Sequence, residues 1–399
     1  MAVNRMLNLS PLRALFTAQF LSAFVDNMIL FIVLAVIKRD AYPDYYLPFV
    51  QSTFLASYIL LSPWVGRYAD KNAKADVLIV GNSIKALGVI CLFMGFNPAV
   101  SYAIVGLGAV IYSPAKYGIL PLLTRNEDEL LRANSGLESY TILAILTGSI
   151  AGGLLSDISI WLALTTCLLL YGASIGINHF IPKNPGNRGI GYQNAIREFL
   201  YDLVTLFQHP QSHYSLVGTG SFWLASAVLR MIIFTWVPLV LGISSGTSIS
   251  MIIAVTGVGI AIGAVLTPHL VSIRNYQRTI WFGLAMGGCI LAFVMIDSLP
   301  VAVAFLLLIG ILGGIYIVPM NACLQQIGHR TVGEGKTIAV QNFLENSFMF
   351  VGVGLYTLAA KQGVTTDISI GITGLVFLLL VGYMALYSRR SGQAGVKRR

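Results

Sequence analysis

Charge is what this sequence has least of. Only 10% of its 399 residues are Asp, Glu, Lys or Arg, against 56% apolar. So few charges cannot cover the surface of a water-soluble globule. Cysteine is scarce too. Cys91, Cys167, Cys289 and Cys323 stand at unrelated spacings inside apolar runs, which argues against a disulfide framework or a cysteine metal site and reads as small buried side chains. Metal-ligand spacings are missing, as are an HxxxxD acyltransferase pattern and a serine or cysteine in an activated setting. The expectation is a protein that is not an enzyme and takes no metal and no cofactor. Met1–Arg13 lacks a short apolar core with a small-residue cleavage site, so no cleaved signal peptide is expected and the first long apolar run is retained.

What the chain does have is apolar length. Runs of ~20 apolar residues, each able to cross a bilayer, recur at 12–37, 47–66, 76–96, 99–122, 134–155, 159–181, 214–241, 248–271, 279–297, 300–325, 336–360 and 367–388. The pattern predicts an all-α membrane protein of twelve spans. The net charge of +9 sits where a membrane topology wants it: 19 of the 25 Lys and Arg fall in alternate loops and the termini, which places both termini in the cytoplasm. Nucleic acid would need those charges gathered on one face, and is not an expected partner. The long connection 183–213 divides the chain into an N-terminal half, 1–182, and a C-terminal half, 214–399. Within it Ile196, Phe199, Leu200, Leu203, Leu206 and Phe207 recur at helical spacing opposite Arg197, Glu198 and Asp202, predicting an amphipathic helix on the inner membrane surface.

The halves echo one another. GAVIYSPAKYGIL (Gly108–Leu120) returns as GGIYIVPMNACLQ (Gly313–Gln325), with Asn321 in the place of Lys116. FLSAFVDNMILF (Phe20–Phe31) aligns loosely with Phe222–Phe234, and Asn134-x-x-x-Glu138 with Gln341-x-x-x-Glu345. Duplicated six-span halves are a carrier architecture, with the substrate site expected between them near the midplane. Gly148-x-x-x-Gly152, Gly259-x-x-x-Gly263 and Gly310-x-x-x-Gly314 read as close helix packing.

Six ionisable residues fall well within spans, away from their ends: Asp26, Lys85, Lys116, Glu138, Arg230 and Glu345. An ionisable group at that depth faces a cavity or an opposite charge. Gln19, Ser22 and Asp26 share a narrow arc at ~100° per residue, with Asn27 at its edge. Asn134, Glu138 and Thr141 share another, Gln341 and Glu345 a third, and Tyr112 lies one turn from Lys116. The expected binding set is Asp26, Asn27, Tyr112, Lys116, Glu138, Arg230, Asn321, Gln341 and Glu345. Lys85 is expected to snorkel or pack structurally, and Glu138 and Glu345 either bind substrate or lock helix pairs. Lys and Arg suit a phosphate, and carboxylates an ammonium. The charges fit a zwitterionic phosphate head group or an amino acid, and a carrier coupled to protons stays open.

Two sets of motifs carry a resemblance. Gly66-x-x-x-Asp70-Lys71-x-x-Lys74 resembles the loop after span two of the major facilitator superfamily. There Asp70 is expected to pair across helices or cap one, while Lys71 and Lys74 hold the loop at the anionic inner leaflet. AQFLSAFVDNMILF (Ala18–Phe31), YSPAKYGILP (Tyr112–Pro121) and IAVQNFLENS (Ile338–Ser347) are similar to the matching stretches of the bacterial lysophospholipid transporter family within that superfamily. The resemblance runs over nearly all of 12–387. It implies the major facilitator fold in a bacterial inner membrane, acting as a monomer. It also implies that lysophosphatidylethanolamine and lysophosphatidylglycerol are moved from the outer to the inner leaflet. Membrane lipids and an acyltransferase–acyl-carrier-protein synthetase, which restores the missing chain, would be the partners. An alternative is a proton-coupled exporter of amphipathic compounds.

Overall fold

A computed structural model describes residues 10–125, 127–271, 273–332 and 334–396; some side chains on its helices, those of Asn134 and Glu138 among them, lie outside the described set. The described chain is helical. Its long elements are α1 (Pro11–Arg39), α2 (Tyr46–Lys71), α3 (Lys74–Phe93), α4 (Pro98–Gly118), α5 (Glu127–Ile158) and α6 (Ile160–Asn178), then the shorter α7 (Ala195–Gln208). After these come α8 (Pro210–Leu241), α9 (Gly246–Leu270), α10 (Thr279–Ala292), α11 (Leu299–Arg330), α12 (Glu334–Lys361) and α13 (Thr366–Val396).

Among the described residues, eleven helices are long and apolar enough to cross a membrane. The expected span that falls short is α2. It is long, with 26 residues, but Gln51, Ser52, Thr53, Ser57 and Ser62 dilute its apolar run. Their hydroxyls are satisfied internally, Ser52 and Ser62 by carbonyls one turn back and Thr53 by Ala99 O at 3.0 Å. Such bonds make a polar helix tolerable in lipid.

The chain forms two compact units, one of 1–42, 53–196 and 245–250, the other of 43–52, 197–244 and 251–399. In the first, α1 packs on α5 and α6, and α3 on α4 and α6. In the second, α8 packs on α12 and α13, and α10 on α11 and α13. The same pairing scheme thus recurs, as an internal repeat requires. Glycines set the closest approaches. A Cβ on Gly310 of α11 would lie 2.9 Å from Gly259 Cα of α9, and one on Gly152 of α5 would lie 2.8 Å from Met28 Cα of α1. Those backbones meet only because the side chain is absent.

The connection between units splits in two. Its first part is strapped to the turn between α2 and α3. Lys74 N donates to Asn184 Oδ1 at 3.2 Å, Asn187 N to Asp70 O at 3.0 Å, and the Arg67 guanidinium to Gly191 O at 2.7 Å. Lys183 pairs with Asp76 at 2.6 Å, and the Lys71 ammonium lies over the Tyr192 ring at 4.7 Å. The second part is α7, with Phe199 and Leu206 set in a cluster with Leu216, Leu324 and Val340. Its polar side differs from expectation. Asp202 is buried, 3.2 Å from the Lys336 ammonium, while Ile196, Leu200, Tyr201 and Val204 are exposed. Apolar residues spread over more of α7 than the part that packs, so periodicity alone does not show that Asp202 is covered.

Two outcomes test this packing. Gly310→Leu is expected to cost about 1–3 kcal/mol by overpacking and to lower the melting temperature in detergent, whereas Gly172→Leu, with open space at its Cβ, leaves it unchanged. Gly186→Val should release the strap, because a Cβ at Gly186 would lie 2.7 Å from Asn72 C. Limited proteolysis within 183–194 should then become faster than in the parent protein.

Candidate functional site

The polar residues of the first unit converge on Asp26 and on a lysine that the sequence reading set aside. Lys85 lies mid-helix in α3, and its side chain is 1% exposed. Glycines make room for it: a Cβ on Gly108 of α4 would sit 2.6 Å from Lys85 Cγ, so the aliphatic stem lies where α4 has no side chain. The ammonium reaches α1, donating to Asp26 Oδ2 at 2.6 Å and to Ser22 Oγ at 2.9 Å. It lies 4.6 Å from the centre of the Tyr112 ring, a cation–π arrangement that favours a desolvated charge. Lys85 therefore does not snorkel. It is a buried cation whose counter-ion is Asp26.

The other Asp26 oxygen is taken by Tyr171 of α6, whose hydroxyl donates at 2.7 Å. A chain of hydrogen bonds continues from Ser22 Oγ to Asn82 Oδ1 at 2.7 Å, from Asn82 Nδ2 to Ser174 Oγ at 2.8 Å, and from Ser174 Oγ to Ala18 O at 2.8 Å. Four helices (α1, α3, α4 and α6) are thus locked by one network, which sets a single rotamer for the carboxylate. Gln19 joins α1 to α5 through Thr141 Oγ1 at 3.1 Å. Asn27 turns back on its own helix, donating to Ala23 O at 2.8 Å. Of the expected binding residues, Asp26 and Tyr112 are brought together with Lys85, while Glu138 lies outside the described side chains. Asn82, Tyr171 and Ser174 were not anticipated. The available signal was Gly81 and Gly88 flanking Lys85, with Asn82 three residues before it.

Lys116 is half-buried near the end of α4, two residues after Pro114, with its ammonium 4.4 Å from the centre of the Tyr117 ring. In the second unit Gln341 Nε2 donates to Asn321 Oδ1 at 2.8 Å and to Glu345 Oε1 at 2.7 Å, with Gln341 and Glu345 both buried. These three expected residues form one cluster joining α11 and α12. Arg230 is half-buried on α8.

The two lysines of the loop depart from their expected roles, while Asp70 does not. Asp70, near the end of α2, pairs at 2.7 Å with Lys74, the first residue of α3, and so joins two helices. Lys74 is buried, its stem against Gly118, and does not extend outward toward lipid head groups. Lys71 turns to Tyr192. Of the loop's charges, Lys71 is engaged by the linker strap, while Asp70 and Lys74 engage each other. Gly66 has open space at its Cβ, so no close approach explains it.

The site's chemistry is recognition. In the first unit the Asp26 carboxylate, held by Lys85 and Tyr171, and in the second the amide–carboxyl cluster of Asn321, Gln341 and Glu345, are each able to hydrogen-bond a polar group in an apolar setting.

The family model described as Major Facilitator Superfamily matches residues 15–353. Among curated proteins, the Lysophospholipid transporter LplT of Citrobacter koseri is 42% identical over 378 residues, covering 94% of each chain. Its namesakes from Salmonella arizonae and Escherichia fergusonii are 43% and 41% identical, covering 94% and 95% of this chain and 94% and 96% of their own. Among solved structures, a mutant of the nucleoside transporter NupG superposes with a TM-score of 0.71 at 13% identity, covering 94% of this chain and 98% of its own. The human organic anion transporter MFSD10 superposes at 0.67 and 15%, covering 94% and 100%. Such distant likenesses bear on the fold alone, and they carry the twelve-helix architecture. On the family model and these near full-length relatives, the chain belongs to the major facilitator superfamily.

Proposed function

We propose that the protein is a lysophospholipid transporter that moves lysophosphatidylethanolamine and lysophosphatidylglycerol from the outer to the inner leaflet of a bacterial inner membrane. The observation that carries this reading is the set of relatives named for lysophospholipid transport at 41–43% identity over nearly the whole chain; the charged side chains within the spans, Asp26, Lys116, Arg230 and Glu345 among them, are of the kind a phosphate-bearing head group needs. No covalent step is required, and the protein acts as a carrier instead of an enzyme. It works as a monomer with both termini in the cytoplasm, and its N-terminal half (1–182) and C-terminal half (214–399) are joined by the linker 183–213. A cytoplasmic acyltransferase–acyl-carrier-protein synthetase reacylates the product.

In this mechanism Lys116 and Arg230 address the phosphate that all glycerophospholipids share. Asp26, with Asn27 and Tyr112 beside it, accepts donors from the rest of the head group. Glu138, Asn321, Gln341 and Glu345 supply further polar contacts. The single acyl chain trails along apolar helix faces, so the head group alone must be desolvated. Gly66, Asp70, Lys71 and Lys74 form the conformational loop, held by the strap described above.

Uptake of labelled lysophosphatidylethanolamine by spheroplasts, with and without the protein, tests the function. Lys116→Ala is expected to lower uptake by more than about tenfold with expression intact, since losing one partner of a charged contact costs about 2–5 kcal/mol. Lys116→Arg should keep part of it, and wild-type uptake by Lys116→Ala would remove the lysine from the site. In competition, lysophosphatidylglycerol should inhibit strongly. The matching diacyl lipid should inhibit poorly because its second chain adds bulk, and glycerophosphoethanolamine poorly because it has no chain. Efficient inhibition by the last compound would mark an ordinary polar-solute pocket.

A further inference from the structure

The Asp26–Lys85 pair bears on selectivity, on the premise that lysophospholipids are the substrates. Its two members are unequally placed. The Asp26 side chain is 23% exposed and Lys85 only 1%, so an approaching head group meets the carboxylate edge with the ammonium behind it. Lys85 has no route outward. Its ammonium is held by Asp26 and Ser22 and faces the rings of Tyr112 and Tyr171 at 4.6 and 5.9 Å. The other groups of this network, Ser22, Asn82, Tyr171 and Ser174, are uncharged. The pair's net charge is therefore zero, and it stays zero wherever the proton between the two groups resides.

We propose that Lys85 is a positioning residue that sets head-group tolerance by cancelling the charge of Asp26. A bare carboxylate at this depth would attract the ammonium of lysophosphatidylethanolamine and repel the net negative charge of lysophosphatidylglycerol, in surroundings where Coulomb forces are weakly screened. With Lys85 behind it, the same carboxylate still accepts hydrogen bonds, from an ammonium or from the glycerol hydroxyls, without ranking the two lipids by charge. Tyr171 and Ser22 fix its orientation, so the edge it offers is the same for both. A buried ion pair costs desolvation that its attraction does not always offset. Here the pair gives one site access to two head-group charges.

The test compares the ratio of the two uptake rates, each lipid labelled, in proteoliposomes of the full chain. Lys85→Met leaves Asp26 uncompensated and is expected to shift the ratio toward lysophosphatidylethanolamine by about tenfold. Asp26→Asn leaves Lys85 uncompensated and should shift it the other way, whatever the fall in total rate. The double variant carries neither charge and should return the ratio to that of the parent protein, a non-additivity expected of a contacting pair. Ratios unchanged in both single variants, with rates falling in parallel, would reduce the pair to a packing lock and overturn the proposal. If only one single variant accumulates, the direction of its shift decides. If neither does, the double variant decides, since a ratio different from the parent's contradicts charge cancellation. A parent protein that moves neither lipid would refute the lysophospholipid reading itself, an outcome distinct from failure of the selectivity role.

Discussion

Taking an ammonium out of water inside a membrane protein is costly, about 2.5–3.5 kcal/mol by insertion scales, and Lys85 sets the terms on which the first unit is built. Its stem needs the missing side chain of Gly108. Its charge needs Asp26 on one helix and an aromatic ring on another, and the carboxylate in turn needs the Tyr171 hydroxyl. Each requirement fixes a neighbouring helix, so α1, α3, α4 and α6 are bound by polar geometry as well as by packing. Removing either charge would strand its partner, which is more damaging than replacing both.

The second unit keeps the helix pairing but not the ion pair. Where α4 has Lys116, α11 has Asn321, and the polar cluster there is an amide bridging a second amide and a carboxylate. The first repeat thus holds its mid-helix carboxylate with a lysine and the second holds its own with an amide. Duplication conserved the scaffold while the chemistry of the two copies diverged.

Much of this was readable from the residues because a membrane writes strong patterns. Apolar length located the spans, and the paired GxxxG motifs at Gly259 and Gly310 marked the contact that the structure shows. Lys85 was not readable because its fate depends on what α4 lacks at Gly108 and on the register of two helices, and neither is encoded beside it. Asp202 was misplaced for a related reason. A helix whose apolar residues spread beyond the part that packs does not declare what is covered until Lys336 is found opposite the aspartate. The loop after α2 was recognised by its motif, but the partners of Arg67 and Lys71 come from residues more than a hundred positions later, beyond the reach of local pattern.

The glycine contacts have a consequence for the lipid itself. Where α9 meets α11 at Gly259 and Gly310, and α1 meets α5 at Gly152, backbone touches backbone, leaving no slot as wide as a methylene chain. Those two seams are sealed against hydrocarbon. A tail that follows its head group through the bilayer must then run along surfaces where side chains, not main chains, form the wall, and such walls can part by changing rotamers without breaking a helix. The smallest residue in the sequence thus decides where a lipid tail cannot go.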